Sequence, residues 1–185
     1  MPRAGLSPTA VVDAALEVVD DRGVDALTLA AVAERTGVAA PSLYKHVDSL
    51  AGLRTMVGVR AMEDLTNRLA AAVMGRGGDD AVTALMRASR EYVREHPARY
   101  AAIPPDPLHS PAMAPAAARL LDVFLAVLCG YGLERSAAIH ATRCLRAIVH
   151  GFTSIEAAGG FGLPEDLDDT YEQLTRMFLT SVRSA

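Results

Sequence analysis

Residues 28–47 read TLAAVAERTGVAAPSLYKHV, and this stretch decides the fold of the N-terminal part of the chain. Thr28 stands at a favoured N-cap position ahead of a short helix with one apolar face, and Gly37 stands where a helix C-terminus favours a left-handed residue. A second short helix fits from about residue 40 or 41 to residue 47, with Leu43 facing inward. Two short helices around a Gly-Val turn predict a helix-turn-helix, whose second helix lies in the major groove of DNA.

The predicted surface of this helix pair offers groups that suit contacts with DNA. The start of the helix that Thr28 caps can face a phosphate, because helix N-termini favour anions. Small side chains at residues 40–42 let the next helix approach base edges closely, and a phenol, an ammonium and an imidazole follow them. The residues predicted to contact DNA are Thr28, Ala40, Pro41, Ser42, Tyr44, Lys45 and His46.

Helical patterns also fill the rest of the chain. A Ser-Pro pair at residues 7–8 opens an amphipathic helix that ends at Gly23. A longer helix, capped at residue 48 or 49, runs to the glycine cluster at residues 75–78. Later apolar stripes continue the helical pattern, and no strand alternation is found. The sequence therefore predicts an all-α protein of about nine helices, with an N-terminal three-helix helix-turn-helix domain joined to a helical-bundle C-terminal domain.

The same boundaries divide the chain by role. Residues 1–48 form the predicted DNA-binding domain, residues 49–75 a connecting helix, and residues 76–185 a ligand-binding and dimerisation domain. Six prolines fall within residues 97–115, so regular structure there is expected to be short or absent.

Composition sets limits on the class of protein. The 185 residues are 51% hydrophobic and carry a net charge of −4, and the first 50 hold four basic and seven acidic side chains. Any DNA contact must therefore use a small, well-placed surface. The two cysteines, Cys129 and Cys144, are too few for a disulfide framework and are interpreted as free core thiols. Without a signal peptide or an apolar run of about 20 residues, a cytoplasmic protein with no membrane partner is expected.

The helix-turn-helix residues also carry a family pattern. It consists of Thr-Leu at 28–29, Ala-Glu-x-x-Gly-Val at 33–38 and Ser-Leu-Tyr-x-His-Val at 42–47. With this pattern, residues 8–54 resemble the DNA-binding domain of the TetR family of regulators. The resemblance implies that Tyr44 and the residues before it touch phosphates, while residues 40–42 read bases.

One departure from the family pattern leaves an alternative open. The family commonly has a lysine at the start of the fourth helix, where this chain has Leu50. A phosphate contact there would fall instead to Lys45, His46 or Arg54. Together with the acidic charge balance of the first 50 residues, this departure motivates a competing hypothesis: a helical small-molecule-binding protein that has lost DNA binding.

A second family pattern lies near the C-terminus. Residues 145–164, LRAIVHGFTSIEAAGGFGLP, contain a His-Gly pair and then Glu-x-x-Gly-Gly-Phe. They resemble the WHG-type C-terminal ligand-binding domain of one TetR subgroup. The resemblance implies a homodimer through about 134–158 and 166–182, with Gly151 permitting close contact across the two-fold axis. The alternative is that these residues complete the core of the monomer.

The resemblance implies a ligand-responsive transcriptional regulator, expected to be a repressor that a small apolar molecule releases from a palindromic DNA operator. Residues expected to contact the ligand, although such side chains at helical spacing are commonly core, are Met86, Tyr92, Phe124, Cys144 and His150. No cofactor, metal site or catalytic residue is predicted, because the chain lacks the nucleophile-elbow, metalloprotease, P-loop and dinucleotide patterns. An enzyme is therefore not expected.

Overall fold

The computed structural model describes residues 6–184, and in that range it contains nine α-helices and no strand. The helices are α1 (Pro8–Arg22), α2 (Leu29–Thr36), α3 (Ala40–Leu43), α4 (Leu50–Val73), α5 (Gly78–Glu95), α6 (Pro97–Ala101), α7 (Ala114–Cys129), α8 (Arg135–Ala157) and α9 (Leu167–Arg183). Short 3-10 turns occupy Val24–Ala26 and Pro107–His109. The predicted all-α fold is confirmed. No helix in the described range has the length and apolar character that a membrane span requires.

The chain folds into two compact units. The first, called the head unit here, runs to Asp64 and adds His96–Ala117. The second, called the body unit, contains Leu65–Glu95 and the segment that starts at Ala118. Helix α4 is continuous and contributes to both units.

Apolar residues from α1, α2, α3 and the first turns of α4 form the core of the head unit. Helix α1 begins at Ser7, whose Oγ accepts a hydrogen bond from the N–H of Ala10 at 3.1 Å, and Pro8 takes the first helical position. The most deeply buried side chains are Val11, Ala15, Val18, Val19, Leu27, Val32, Leu43, Leu53 and Val57. Replacing a buried leucine by alanine lowers the free energy of unfolding by about 2–5 kcal/mol. Burial of its leucine in this core therefore holds the short α3 against its neighbours.

The segment His96–Ala117 packs with the head unit although it follows α5 in the sequence. Arg99 of α6 approaches Asp20 of α1 to 2.6 Å and Asp64 of α4 to 3.3 Å. Its proline-rich part is irregular, as expected, apart from α6 and one 3-10 turn. Ion pairs between α6 and both α1 and α4 thus hold a late segment of the chain on the head unit.

Gly58 permits a close approach between α4 and this segment. A Cβ at this position would lie 2.8 Å from Met113 Cε and 3.0 Å from the carbonyl oxygen of Ala102. The end of the flexible Met113 side chain can move away, but the backbone carbonyl of Ala102 is less free to shift, so a side chain at this position would be crowded where the two pieces of the head unit meet.

Arg90 of α5 joins three helices of the body unit. Its Nε and Nη2 donate to the two carboxylate oxygens of Glu156 at 2.9 and 2.7 Å, and its Nη1 lies 2.8 Å from Asp168. Its guanidinium carbon lies 5.2 Å from the ring centre of Phe152 and 5.0 Å from that of Tyr171. The hydrogen bonds to Glu156 raise the pKa of Arg90, so this nearly buried cation stays charged.

The Glu-x-x-Gly-Gly-Phe pattern supplies much of this arrangement. Glu156 lies in the last turn of α8, where it binds Arg90. Gly159 adopts a φ of +66°, which favours glycine and lets the chain turn away from the helix. Phe161 then packs on Phe152, with 4.9 Å between ring centres. In this structure the pattern ends α8 and packs the loop that follows it.

Two sequence expectations are wrong. The third helix ends at Leu43 rather than at residue 47, because the next residues form tight turns in which the N–H of His46 donates to the carbonyl of Leu43 at 2.8 Å. Cys129 and Cys144 are exposed instead of lying in the core. The first ends α7, and the second lies on the outer side of α8, whose inward positions are taken by residues such as Leu145.

Two glycines of α4 give a matched test of the close approach. Gly52→Ala should stabilise the protein by up to about 1 kcal/mol, since its Cβ would meet only Ser49 Oγ at 3.5 Å and alanine favours helix. Gly58→Ala should leave the protein less stable than Gly52→Ala by about 1–3 kcal/mol, because of overpacking. Urea unfolding of both variants measures the difference, and equal free energies of unfolding would show that Gly58 is not confined.

Candidate nucleic-acid interface

Helix α2 and the turn after it have the geometry that a helix-turn-helix requires. The hydroxyl oxygen of Thr28 accepts a hydrogen bond from the N–H of Ala31 at 3.1 Å, which makes Thr28 the N-cap as predicted. Gly37 adopts a left-handed conformation with φ +67° and ψ +29°, and the N–H of Val38 returns to the carbonyl of Ala33 at 3.1 Å. Because the Thr28 side chain is exposed, its hydroxyl hydrogen can still donate to a phosphate.

Helix α3 and its following turn separate a buried side from a solvent-facing side. Leu43 is fully buried and Val47 is 4% exposed, whereas Tyr44 is 58% exposed and Lys45 is exposed beside it. Pro41 is exposed as well, and the remaining predicted contacts in this stretch, Ala40, Ser42 and His46, are partly exposed. The structure thus brings six of the seven predicted DNA contacts into one continuous accessible segment, with Thr28 at the start of the preceding helix.

The start of α4 explains the departure at Leu50. Leu50 is half-buried and packs against the core of the head unit, so an apolar residue suits this position. The helix is capped by Ser49, whose Oγ accepts a hydrogen bond from the N–H of Gly52 at 3.0 Å. Arg54, one turn further along, is exposed.

Five of the seven acidic side chains in the first 50 residues are held by arginines. Arg35 pairs with Glu17 at 3.3 Å and with Asp21, and the hydrogen bond to Asp21 raises the pKa of Arg35. The other pairs are Arg60 with Asp13 at 3.5 Å, Arg99 with Asp20 at 2.6 Å, and Arg22 with Glu34 at 3.8 Å. Exposed pairs add little stability one by one, but they offset the negative charge of α1 and α2 locally.

This pairing changes the meaning of the acidic composition. Two of the arginines, Arg60 and Arg99, lie beyond the first 50 residues, so a local count of charge misses them. In the described part of the head unit, Lys45 and Arg54 are left as exposed cations without an ion pair. No local sequence signal reveals this division, because it depends on how α4 and α6 pack on α1.

The residues predicted to bind a ligand are not brought together into one site. Met86 and Tyr92 of α5 are buried in the body unit, and Phe124 of α7 is half-buried. Cys144 and His150 lie exposed on α8. Within one chain, the two α8 residues therefore face solvent while the two α5 residues face the interior.

Comparison with known families matches both halves of the chain. Residues 11–53 match the model for bacterial regulatory proteins of the tetR family, and residues 82–178 match the model for the tetracyclin repressor-like C-terminal domain. The chain belongs to the TetR family. It is a DNA-binding transcriptional regulator with a helix-turn-helix.

Similar proteins agree with the TetR assignment along the whole chain. The chain is 34% identical to the HTH-type transcriptional regulator YobS of Bacillus subtilis over 183 residues, which are 98% of this chain and 95% of YobS. It is 37% identical to the HTH-type transcriptional regulator Rv0681 of Mycobacterium tuberculosis over 167 residues, 89% of this chain and 75% of that protein. Its fold is similar to that of SCO7222, a TetR regulator from Streptomyces coelicolor, with a TM-score of 0.78, 20% identity and coverage of 97% and 99% of the two chains.

Substitutions of two exposed predicted contacts, Lys45 and Tyr44, test this interface. Lys45→Ala should lower affinity for operator and for unrelated DNA by a similar factor, because phosphate contacts position a protein without reading sequence. It should also flatten the dependence of log affinity on log salt by about one per bound copy of the chain. Tyr44→Ala should weaken both complexes and leave the slope unchanged, since the phenol is neutral.

Fluorescence anisotropy over a range of salt concentrations measures both effects. Arg119→Ala is the control, because Arg119 is exposed on α7, outside the head unit and outside the helices proposed to form the dimer. Affinity and slope that stay at the unsubstituted values for both Lys45→Ala and Tyr44→Ala would exclude these side chains from the interface.

Proposed function

We propose that this TetR regulator is a homodimeric repressor that binds a palindromic operator and leaves it when a small apolar molecule binds. The observation that carries the proposal is the accessible segment from Ala40 to His46, held on a head unit whose acidic side chains are largely paired. Residues 1–48 would bind DNA, residues 49–75 would connect, and residues 76–185 would bind ligand and dimerise. Such a role places the protein in the cytoplasm and requires no catalytic step.

Contacts with DNA would combine charge and shape. Thr28, Tyr44 and Lys45 would hold phosphates, and Arg54 would supply the cation that the family pattern places at residue 50. Ala40, Pro41 and Ser42 would lie against base edges, where small side chains allow close approach and apolar contact with thymine methyl groups. His46, partly exposed next to Lys45, would add a hydrogen bond to the duplex.

The exposed sides of α8 and α9 support the dimer. Ile139 and Ile155 of α8 are 40% and 45% exposed, and Met177 of α9 is 60% exposed. Large apolar side chains exposed on two adjacent helices favour coverage by a partner. Gly151 faces open space, because a Cβ there would meet nothing within 4 Å in its own chain. A two-fold dimer would then present two recognition helices to half-sites about one or more helical turns apart.

The ligand would act on the body unit. Met86, Tyr92 and Phe124 would line its site, because apolar and aromatic side chains dominate the walls of such pockets. Cys144 and His150 lie on the proposed dimer face of α8, so they would contact a ligand only at the interface between copies. The continuous α4 would carry a displacement from the body unit to the head unit and change the spacing of the recognition helices.

The competing hypothesis, a binding protein that has lost DNA binding, is not favoured by these observations. It was motivated by the acidic head and by Leu50. The acids are mostly paired with arginines, and Leu50 packs on the core while Arg54 is free to contact a phosphate.

Gly151→Leu tests the dimer. The larger side chain should fit its own chain without a clash and obstruct the partner, so the dissociation constant of the dimer should rise at least about tenfold, a cost of 1.4 kcal/mol or more. Gly162→Leu is the matched control: it also meets nothing within 4 Å, but it lies in the loop between α8 and α9. Sedimentation equilibrium measures both, and a Gly151→Leu variant that dimerises as tightly as the control would remove Gly151 from the interface.

Reciprocal titration tests the ligand response. A compound found by thermal shift should lose affinity when operator is bound, by the same factor by which it weakens DNA binding. For a coupling of about 1–3 kcal/mol the factor is roughly 5- to 150-fold. Calorimetry with and without operator measures it. Equal ligand affinities in the two titrations would mean that the compound does not control DNA binding.

A further inference from the structure

A groove between α5 and α9 opens on the surface of the body unit. Its volume is about 470 Å³, within the range of sites that bind small molecules. The residues that line it are mostly charged: Thr83, Arg87, Arg90, Glu91, Arg94, Asp168, Tyr171, Glu172, Thr175, Arg176 and Leu179. Four of these side chains are arginines and three are acidic, so the lining carries a net charge of +1 (4 − 3).

Three of these arginines share one face of α5. Arg87, Arg90 and Arg94 are spaced by three and four residues, which places their side chains next to one another. Like charges at this spacing destabilise a helix unless an anion lies nearby. Arg87 and Arg94 are exposed, and neither has an ion pair among the described residues.

Arg90 is the fixed cation at the centre of this face. It is 8% exposed, and Glu156 and the rings of Phe152 and Tyr171 hold its guanidinium in one orientation. Asp168, whose side chain is 71% exposed, reaches it from the solvent side and lies 2.8 Å from its Nη1. The groove therefore already displays how a carboxylate binds at Arg90, through a side chain that is largely exposed.

The other acidic side chains of the groove are directed to other partners. Glu91 pairs with Arg68 at 3.6 Å, and Glu172 pairs with Arg176 at 3.6 Å along α9. Asp168 is thus the acidic group that competes directly for Arg90, and the charges of Arg87 and Arg94 are not offset by a salt bridge.

We propose that this groove binds a small molecule carrying at least two negative charges, a di- or tricarboxylate or a phosphate ester, through Arg87, Arg90 and Arg94. Arginine forks bind carboxylate and phosphate oxygens in pairs of charge-assisted hydrogen bonds. One acidic group replaces Asp168 at Arg90, and the others lie between Arg87 and Arg94. The Tyr171 ring and Leu179 give the carbon skeleton an apolar wall.

This site is separate from the two surfaces proposed above. The apolar ligand site would lie inside the body unit around Met86 and Tyr92. The exposed Met177 lies on a different face of α9 from Asp168, Thr175 and Leu179, which face the groove. Anion binding can therefore be measured on the full-length protein without DNA, and its failure would leave DNA binding and dimerisation untouched.

Isothermal titration calorimetry at constant ionic strength provides the test, with citrate and inorganic pyrophosphate as probes and neutral triethyl citrate as the uncharged comparison. Binding of citrate alone would identify a carboxylate site, and binding of pyrophosphate alone a phosphate site. The combined variant Arg87→Gln and Arg94→Gln should weaken binding at least about tenfold. Arg119→Gln, at an exposed arginine of α7 outside the groove, should leave it unchanged. Asp168→Asn should tighten binding several-fold, because it removes the competing carboxylate.

Binding of neither anion, or equal binding of triethyl citrate and citrate, would overturn the proposal. So would an equal loss in Arg119→Gln and in the combined variant, since it would reflect only the total charge of the protein. Weaker binding to Asp168→Asn would contradict the replacement of Asp168 at Arg90. Circular dichroism of each variant confirms that these exposed substitutions leave the helical fold intact.

Discussion

Burial of Leu43 is the constraint on which the recognition surface depends. Helix α3 has only four residues, far fewer than the roughly 12–15 that an isolated helix needs to persist in water, so its own hydrogen bonds cannot hold it. Leu43, at the end of α3, and Val47, after the turn that follows, anchor the segment in the core of the head unit. With that side buried, Tyr44 and Lys45 face solvent. A short, anchored element of this kind can present small side chains to base edges without the bulk of a longer helix.

Charge pairing separates the working surface of the head from its acidic background. Arginines from α2, α4 and α6 pair with the carboxylates of α1, whereas Lys45 and Arg54 are exposed without an ion pair. Each exposed pair contributes little to stability. The main consequence of the pairing is therefore that it determines which charged side chains of the head unit stay unpaired. In the body unit, by contrast, the charged Arg90 is nearly buried. Glu156 and two aromatic rings compensate there for the hydration that its guanidinium loses. Removing one partner of such a pair is costly, about 3–5 kcal/mol.

The sequence predicts the features that depend on neighbouring residues and misses those that depend on packing between distant ones. Thr28 and Gly37 are recognisable because caps and left-handed turns are local chemistry, and the structure places both as predicted. The longer helices follow from apolar periodicity in the same way, whereas the short α6 lies in the proline-rich stretch, where no such periodicity exists. The exposure of Cys144 could not be predicted, since a half-apolar helix such as α8 gives no sign of which side a second helix covers. The pairing of Arg99 with Asp20 could not be predicted either, because the two residues are 79 positions apart in the sequence. The ligand site stays a prediction for the same reason: Met86 and Tyr92 are buried, but periodicity alone cannot distinguish core from pocket lining.

In the proposed function, the head units of a dimer read a two-fold symmetric DNA sequence. Selection of bound sites from random duplex DNA by the full-length protein tests it most directly, because the method assumes no operator. We expect enrichment of an imperfect palindrome whose half-sites are separated by about one or more helical turns of DNA. We also expect that Lys45→Ala recovers the same motif with lower yield, since a phosphate contact does not choose the sequence. A pool without any enriched motif, or one with a single asymmetric half-site, would show that the protein does not read a two-fold symmetric DNA sequence.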